Sequence, residues 1–414
     1  MSIVPTPPAT GDTPPAPSRS SLRGLDWFVF CVADVQTGFG PFVAVYLTTQ
    51  KWTQTDIGLI LSVSGLVALA GQMPGGWIVD STRSERFVAG IAVACIAAAA
   101  LIYAAFPIFP AVLFAATLHA AASCVLGPAI AAISLGLVGH AAIGERLGRN
   151  ARFASVGNGL AAAAMGATGH FLSARAVFVI TAVLLAPTLL ALRKIQPREI
   201  DVARAHGGVP EPGVETSHSP VPVLLHKFPL LIFAGCIMLF HLANSAMLPL
   251  MGGILTTRSS EWATVLIAAC IVVPQVIVAL ISPWVGHQAG VWGRRPLLLI
   301  GFAALPIRAF LFATVTDPLF VVFVQVLDGL TAAMLGVMVP LIIADLTRGT
   351  GRFNLGQGIV GTMTGIGAAA STSIGGYLID HFGSQVTFLG LGALAAVALT
   401  TAAILMPETR PKNG

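Results

Sequence analysis

A succession of apolar stretches constrains this chain more than any other feature, because each is about the twenty residues that an α-helix needs to cross a bilayer. Only helices and closed barrels pair all their backbone groups within hydrocarbon, and stretches this long are typical of helices. The sequence therefore predicts an all-α integral membrane protein. Twelve predicted transmembrane helices lie near residues 25–48, 56–79, 87–106, 109–138, 153–173, 175–192, 228–253, 262–287, 296–315, 318–344, 355–379 and 385–406.

The composition excludes soluble classes of protein. Hydrophobic residues make up 56% of the chain and charged residues only 9%, whereas a soluble domain carries roughly 25% charged residues. The net charge of +5 does not indicate nucleic-acid binding, because the basic residues lie in short loops. The five cysteines lie within apolar stretches and form no CxxC motif, so we predict no disulfide, metal cofactor or other cofactor.

Polar segments divide the chain into two halves. Residues 1–23 are rich in Pro, Ser and Thr and predict a disordered cytoplasmic tail, and residues 193–227 predict a flexible cytoplasmic linker. We therefore expect an N-terminal six-helix bundle at 24–192, a C-terminal six-helix bundle at 228–406 and a short cytoplasmic tail at 407–414.

The distribution of Lys and Arg predicts the orientation in the membrane. With the N-terminus placed in the cytoplasm, eighteen of the 22 basic residues fall on the cytoplasmic side and three on the other side. Cytoplasmic loops carry such an excess of positive charge. We therefore predict a multi-pass protein of the plasma (inner) membrane with both termini in the cytoplasm.

The two halves repeat one another. Gly76 and Gly286 end the second and eighth apolar stretches and are 210 residues apart, and Gly127 and Gly336 are 209 apart. A shared offset of this kind indicates two parallel structural repeats, which is a transporter architecture.

Related motifs follow these stretches, Gly-Trp-Ile-Val-Asp-Ser-Thr-Arg at 76–83 and Gly-His-Gln-Ala-Gly-Val-Trp-Gly-Arg-Arg at 286–295. They resemble the signature loop of the major facilitator superfamily: Gly, any residue, Leu, Ala, Asp, Arg, any residue, Gly, Arg, then Lys or Arg. The first copy keeps the initial Gly and the Asp, and the second keeps both glycines and the basic pair. The residues to which we assign gating roles are Gly76, Asp80, Arg83, Gly286, Gly293, Arg294 and Arg295.

The resemblance implies two pseudo-symmetric six-helix bundles around a central cavity, and transport by a monomer that opens alternately to either side. Gly76 would let two helices approach closely. Asp80 would either pair with an arginine or face the positive end of a neighbouring helix. Either contact would lock the outward-facing state. Within the superfamily, the chain is closest in character to proton-coupled antiporters of drugs and small molecules.

Four ionisable residues lie within the apolar stretches that the resemblance places around the cavity: Asp34, His119, His241 and Asp328. Charge at membrane depth is expensive and usually functional. In one interpretation Asp34 and Asp328 carry the protons that are exchanged for substrate. In the other, the two imidazoles and two carboxylates bind a divalent metal or a metal chelate.

Neutral polar residues add to the predicted substrate site. Gln36 and Asn244 occupy equivalent repeat positions, and Gln325 lies one turn before Asp328. The predicted substrate-binding residues are Gln36, His119, His241, Asn244 and Gln325. Arg308 is predicted to pair with Asp317 or to extend outward, and to be structural.

These observations predict a secondary active transporter and not an enzyme. The sequence contains no GxxxxGK[ST] loop, which disfavours ATP-driven transport. The predicted activity is proton-coupled export of amphiphilic or cationic compounds, and the alternative is transport of a metal ion or siderophore-like chelate. The rival classes are a channel and an enzyme with metal chemistry at His119 and His241. The predicted partners are a small molecule, protons and lipid.

Overall fold

The structure is a computed structural model that describes residues 16–37, 41–208, 224, 227–258, 263–315 and 317–410. The other residues, including most of the predicted N-terminal tail, lie outside the described residues. Within the described ranges all regular secondary structure is helical. This confirms the prediction of an all-α protein.

The N-terminal half is built from long apolar helices joined by short turns. Thr53 begins one of these helices by accepting a hydrogen bond from the Asp56 amide through its side chain, as an N-cap residue does. The helices are α1 Arg19–Thr37, α2 Pro41–Thr49, α3 Gln54–Asp80, α4 Glu85–Ala105, α5 Phe109–Phe171, α6 Ala174–Val183 and α7 Leu185–Arg193.

The C-terminal half follows a short helix in the linker, α8 Val202–Ala205. Asp317 begins one helix of this half by accepting hydrogen bonds from the Leu319 and Phe320 amides. The helices of this half are α9 Phe228–Asn244, α10 Met247–Arg258, α11 Ala263–Val291, α12 Arg294–Thr314, α13 Pro318–Leu346 and α14 Phe353–Leu405.

Two of these helices, of 63 and 53 residues, are each long enough to cross a membrane twice. In α5 the side-chain Nδ2 of Asn150 donates to the Ser134 hydroxyl at 2.8 Å, although sixteen residues span about 24 Å of straight helix. The chain must therefore fold back between them, and it does so at Gly139, whose φ of 68° favours glycine. Gly383, with φ of 77°, plays the same part in α14.

Nine helical segments of the described chain are long and apolar enough to span a membrane. With the reversals at Gly139 and Gly383, and with α1 and α2 forming one further crossing, the helices are consistent with twelve transmembrane segments. Buried apolar side chains form two large clusters, and each belongs mainly to one half. The core thus follows the internal repeat that the sequence predicts.

The two halves meet through α3 packed on α14 and α5 packed on α11. We call the side of the molecule that carries the start of α1 and the ends of α3 and α13 the terminal face. The first part of the linker lies there against the N-terminal half, with Ile195, Ile200 and Ala205 buried. These apolar side chains explain why residues 194–208 are packed, where the sequence predicts flexibility.

Candidate functional site

An ion pair lies inside the C-terminal half, within two of the membrane-spanning helices. The Arg308 guanidinium on α12 contacts the Asp328 carboxylate on α13, and its Nη1 donates to Asn244 Oδ1 on α9 at 3.1 Å. The Arg308 side chain is 2% exposed, and that of Asp328 is 23% exposed. A lone charge at this depth is expensive, so Arg308 depends on Asp328 to remain charged, and Asp328 is the member of the pair that a ligand or proton can reach.

Further polar groups surround this pair. Gln325 is fully buried one turn before Asp328 and lies beside the Cys270 thiol, while the Arg308 guanidinium lies 5.4 Å from the centre of the Phe312 ring. Arg308 Nε has no hydrogen-bond partner within the described part of the chain. Buried polar atoms without a partner are rare in packed cores, which favours a binding or coupling role for this cluster.

The structure brings together three of the predicted cavity residues, Asn244, Gln325 and Asp328, around an arginine that was assigned only a structural role. The predicted pairing of Arg308 with Asp317 is wrong. Asp317 immediately precedes α13 and caps its amides, at 2.8 and 3.0 Å. The alternative, that Arg308 extends outward, is also wrong because its side chain is buried.

The other predicted cavity residues are distributed over α1, α5 and α9. His119 on α5 has its Nε2 3.4 Å from the Ser123 hydroxyl, and His241 on α9 meets the edge of the Phe240 ring. Gln36 is partly buried on α1. Asp34 belongs to the same helix, but its side chain lies outside the described residues.

No group of three or more His, Cys, Asp or Glu side chains with metal-binding geometry occurs among the described residues. The described part of the chain therefore offers no support for the metal interpretation. The contribution of Asp34 to such a site stays a prediction.

Asp80 joins the two halves at the terminal face. Its carboxylate, which is fully buried, accepts hydrogen bonds from the backbone amides of Asn354 and Leu355 at 3.1 and 2.8 Å, and from Asn354 Nδ2 at 2.9 Å. These amides begin α14, where free N–H groups and the helix dipole favour an anion. Of the two arrangements expected for Asp80, the structure has the one with a helix N-terminus.

Glycines allow the halves to touch at backbone level on this face. A Cβ added to Gly76 would collide with the Asn354 carbonyl, and one added to Gly286 would collide with the Gly144 carbonyl. Gly76 lies on the α3–α14 contact and Gly286 on the α5–α11 contact. The repeated glycines of the two signature loops therefore have the same physical role in the two repeats.

The basic residues of the second loop act within the C-terminal half. Arg294 Nε donates to Asp345 Oδ2 at 2.9 Å, and the Arg294 amide donates to Glu408 at 2.8 Å. Arg295 donates to the Ala403 carbonyl. Gly293 precedes them with φ of 97°, which only glycine adopts without strain. These contacts tie together the ends of α12, α13 and α14. Arg83, in the first loop, is exposed.

A matching ion-pair cluster in the N-terminal half was not predicted. Asp26, which is buried near the start of α1, contacts Arg146 at 2.5 Å and Arg149 at 2.6 Å. The sequence shows that Arg146 and Arg149, three residues apart, share one face of a helix, but it does not identify Asp26 as their partner.

The linker also bridges the halves. His206 Nε2 lies 3.2 Å from Glu85 Oε1 of the N-terminal half, and both side chains are 3% exposed. On the other side, the His206 carbonyl accepts from the Phe353 amide at 3.0 Å, and the Gly207 carbonyl accepts from the Gly349 amide at 2.7 Å. The linker therefore supplies further hydrogen bonds across the same junction as Asp80.

Comparisons with known proteins agree with this architecture. A family model described as Major Facilitator Superfamily matches residues 27–287 and 236–414. A Mycobacterium tuberculosis protein, described as an uncharacterised MFS-type transporter, is 38% identical over 392 residues, which are 94% of this chain and 93% of that protein.

Two further proteins are similar to this chain, one over part of its sequence and one in its fold. A multidrug resistance protein B homolog of Mycobacterium tuberculosis is 30% identical over 135 residues, 32% of this chain and 24% of that protein. Among solved structures, the proton:xylose symporter XylE matches with a TM-score of 0.70 and 14% identity, over 94% of this chain and 96% of that one. The likeness to XylE concerns the fold alone.

Proposed function

Because the chain belongs to the major facilitator superfamily, whose members are transporters rather than enzymes, we propose that it exports amphiphilic or cationic small molecules in exchange for protons. We further propose that it acts as a monomer in the plasma (inner) membrane, with the terminal face in the cytoplasm. The asymmetry of Lys and Arg supports this orientation.

Alternating access is supported by the way the halves diverge away from the terminal face. A Cβ on Gly148 would collide with the Ser282 carbonyl of α11, but no described atom lies within 4 Å of one on Gly166. Eighteen residues are five helical turns, so both glycines face the same way. The same contrast holds in α14. A Cβ on Gly358 would collide with the Gln72 carbonyl of α3, whereas no described atom lies within 4 Å of one on Gly376. With the terminal face in the cytoplasm, this arrangement supports our proposal of an outward-facing state.

The observation that carries the proposed coupling is the buried Arg308 paired with the partly exposed Asp328. Protonation of Asp328 would leave Arg308 as an uncompensated buried charge, which costs several kcal/mol, on the order of 3–5. That cost disfavours the conformation in which the pair is enclosed, so proton binding and conformation are linked. A cationic substrate would compete with Arg308 for the same carboxylate.

The substrate class has separate support. The cluster presents an acidic group beside an aromatic ring and apolar helices, which suits a cation with an apolar body. The partial similarity to a multidrug resistance protein points in the same direction. Asp34, on α1 of the N-terminal half, stays a proposed proton carrier, and the sequence favours it ahead of Asp328.

Transport in proteoliposomes tests the proposal. With the membrane potential clamped at zero and an acidic lumen, we expect wild-type protein to accumulate radiolabelled tetraphenylphosphonium. Asp328→Asn should lose at least tenfold of this gradient-driven uptake. Asp317→Asn, the same substitution at a helix cap outside the cluster, should stay within twofold of wild type. Equal uptake by Asp328→Asn and wild type, or equal losses in the two variants, would contradict the assignment.

A further inference from the structure

A basic pocket opens on the terminal face of the N-terminal half, between α1 and α5, away from the Arg308 cluster. Its cavity volume is about 390 Å³. We call it the arginine pocket, and it is lined by Arg19, Leu22, Arg23, Val138, Ala142, Glu145, Arg146 and Arg149. Neither the signature loops nor the proposed transport cycle uses it.

The charges of this pocket do not balance. Arg146 and Arg149 share the single carboxylate of Asp26. Arg19 and Arg23 are exposed, and neither is part of an ion pair within the described part of the chain. Of the residues that line the pocket, Glu145 alone is acidic, and it also contacts His287. Such a surplus of guanidinium groups suits a phosphate, which arginine binds through two parallel hydrogen bonds.

An aromatic surface continues from the pocket along the two helices. Trp27, one turn after Arg23, is 52% exposed and meets the edges of Phe30 and Phe153 at 5.5 and 6.3 Å between ring centres. Since Arg19, Arg23 and Trp27 are spaced by four residues, they share one face of α1. Exposed tryptophan is typical of the membrane interface.

We propose that the arginine pocket binds the phosphate headgroup of an anionic phospholipid, whose acyl chains lie along Trp27. The phosphate would contact Arg19 and Arg23, which form no ion pair with any described residue, together with the exposed Arg149. The aromatic surface argues for a lipid over free phosphate, which has no apolar part to bury. The proposal rests on the membrane placement of the helices and not on the transported substrate.

Thermal unfolding of the purified protein in detergent provides the test, with added phosphatidylglycerol, phosphatidylcholine or inorganic phosphate. We expect phosphatidylglycerol to raise the melting temperature and the other two additives to have no such effect. Arg19→Gln with Arg23→Gln should weaken the apparent affinity for phosphatidylglycerol at least tenfold. Arg19→Lys with Arg23→Lys should retain part of it, because the charge stays but the paired geometry of the guanidinium is lost.

The matched control is Arg198→Gln with Arg348→Gln, which removes two exposed positive charges outside the pocket. It should bind phosphatidylglycerol as wild type does. An equal response to phosphatidylcholine, an unchanged response in the Arg19/Arg23 double Gln variant, or an equal loss in the control would overturn the proposal. A response to inorganic phosphate alone would overturn the assignment to a lipid. Counting bound lipids by native mass spectrometry gives the same comparison for any variant with altered stability.

Discussion

Substitution of Asp80 by Asn tests the contact that closes the terminal face. Asp80 Oδ2 accepts from the Leu355 amide, and Oδ1 accepts from both nitrogens of Asn354. Asn keeps one accepting oxygen but turns an NH₂ group toward the Leu355 amide. Hydrogen bonds to a charged group contribute about 1.5–3 kcal/mol each. Asn also avoids the cost of burying a carboxylate. The free energy that favours the closed terminal face should therefore fall by about 2 kcal/mol, or roughly 30-fold in the closed-to-open ratio.

Hydrogen exchange at two other amides measures this opening. The Gly349 and Phe353 amides donate to linker carbonyls and not to Asp80, so their exchange reports separation of the junction rather than loss of the mutated contact. We expect them to exchange about 30-fold faster in Asp80→Asn. Asp56→Asn, at the opposite end of α3, should leave them unchanged. Exchange in Asp80→Asn within about threefold of wild type would refute the reasoning.

Three further predictions concern other parts of the molecule. Gly148→Val should lower gradient-driven transport at least tenfold because it blocks contact with α11, while Gly166→Val, on the open part of the same face, should stay within twofold. Arg308→Met should destabilise the protein by about 3 kcal/mol in thermal unfolding, because it leaves Asp328 unpaired, and adding Asp328→Leu should restore most of that loss. Burial raises the pKa of Glu199, but hydrogen bonds from the start of α1 outweigh it and the net pKa is lowered. The stabilisation is therefore present above pH 4.5 and is lost as pH falls through the lower folded value. The protection factors of the amides at the start of α1 should therefore fall in acid, and Glu199→Gln should abolish that dependence.

The sequence predicts the parts of this fold that depend on local composition or on the repeat. Helix length and apolar content depend on local residues, so the membrane class follows directly. The 210-residue offset placed Gly76 and Gly286 in equivalent positions, and both indeed lie where helices touch at backbone level. A close approach of two helices requires a residue without a side chain, and such a glycine can be recognised in the sequence alone.

Partners across helices are harder to predict. The sequence offers Arg308 either Asp317, which is close along the chain, or an outward orientation, but its partners lie on α9 and α13. Asp26 was missed because its arginines follow more than a hundred residues later. The linker was predicted to be flexible from its charges and prolines, whereas Ile200 and Ala205 bury against the N-terminal half. Each of these contacts is specified only by the tertiary arrangement.

The incomplete second signature loop has a physical consequence for closure. The 210-residue offset that relates Gly76 to Gly286 relates Asp80 to Gly290, so the α5–α11 contact has no carboxylate equivalent to Asp80. Among the described residues, the polar contacts on that side include Glu145 with His287, whose side chains are 68% and 61% exposed, and Arg152 Nε, which donates to the Ala279 carbonyl at 2.8 Å from an exposed position. Exposed contacts of this kind contribute less than about 1 kcal/mol.

On the α3–α14 side, by contrast, Asp80 is fully buried, and the linker adds its own hydrogen bonds to Gly349 and Phe353. The free energy that holds the terminal face closed is therefore concentrated on one of the two contacts. Opening should accordingly begin between α3 and α14, with the glycine contact of α5 and α11 acting as the pivot until the halves separate.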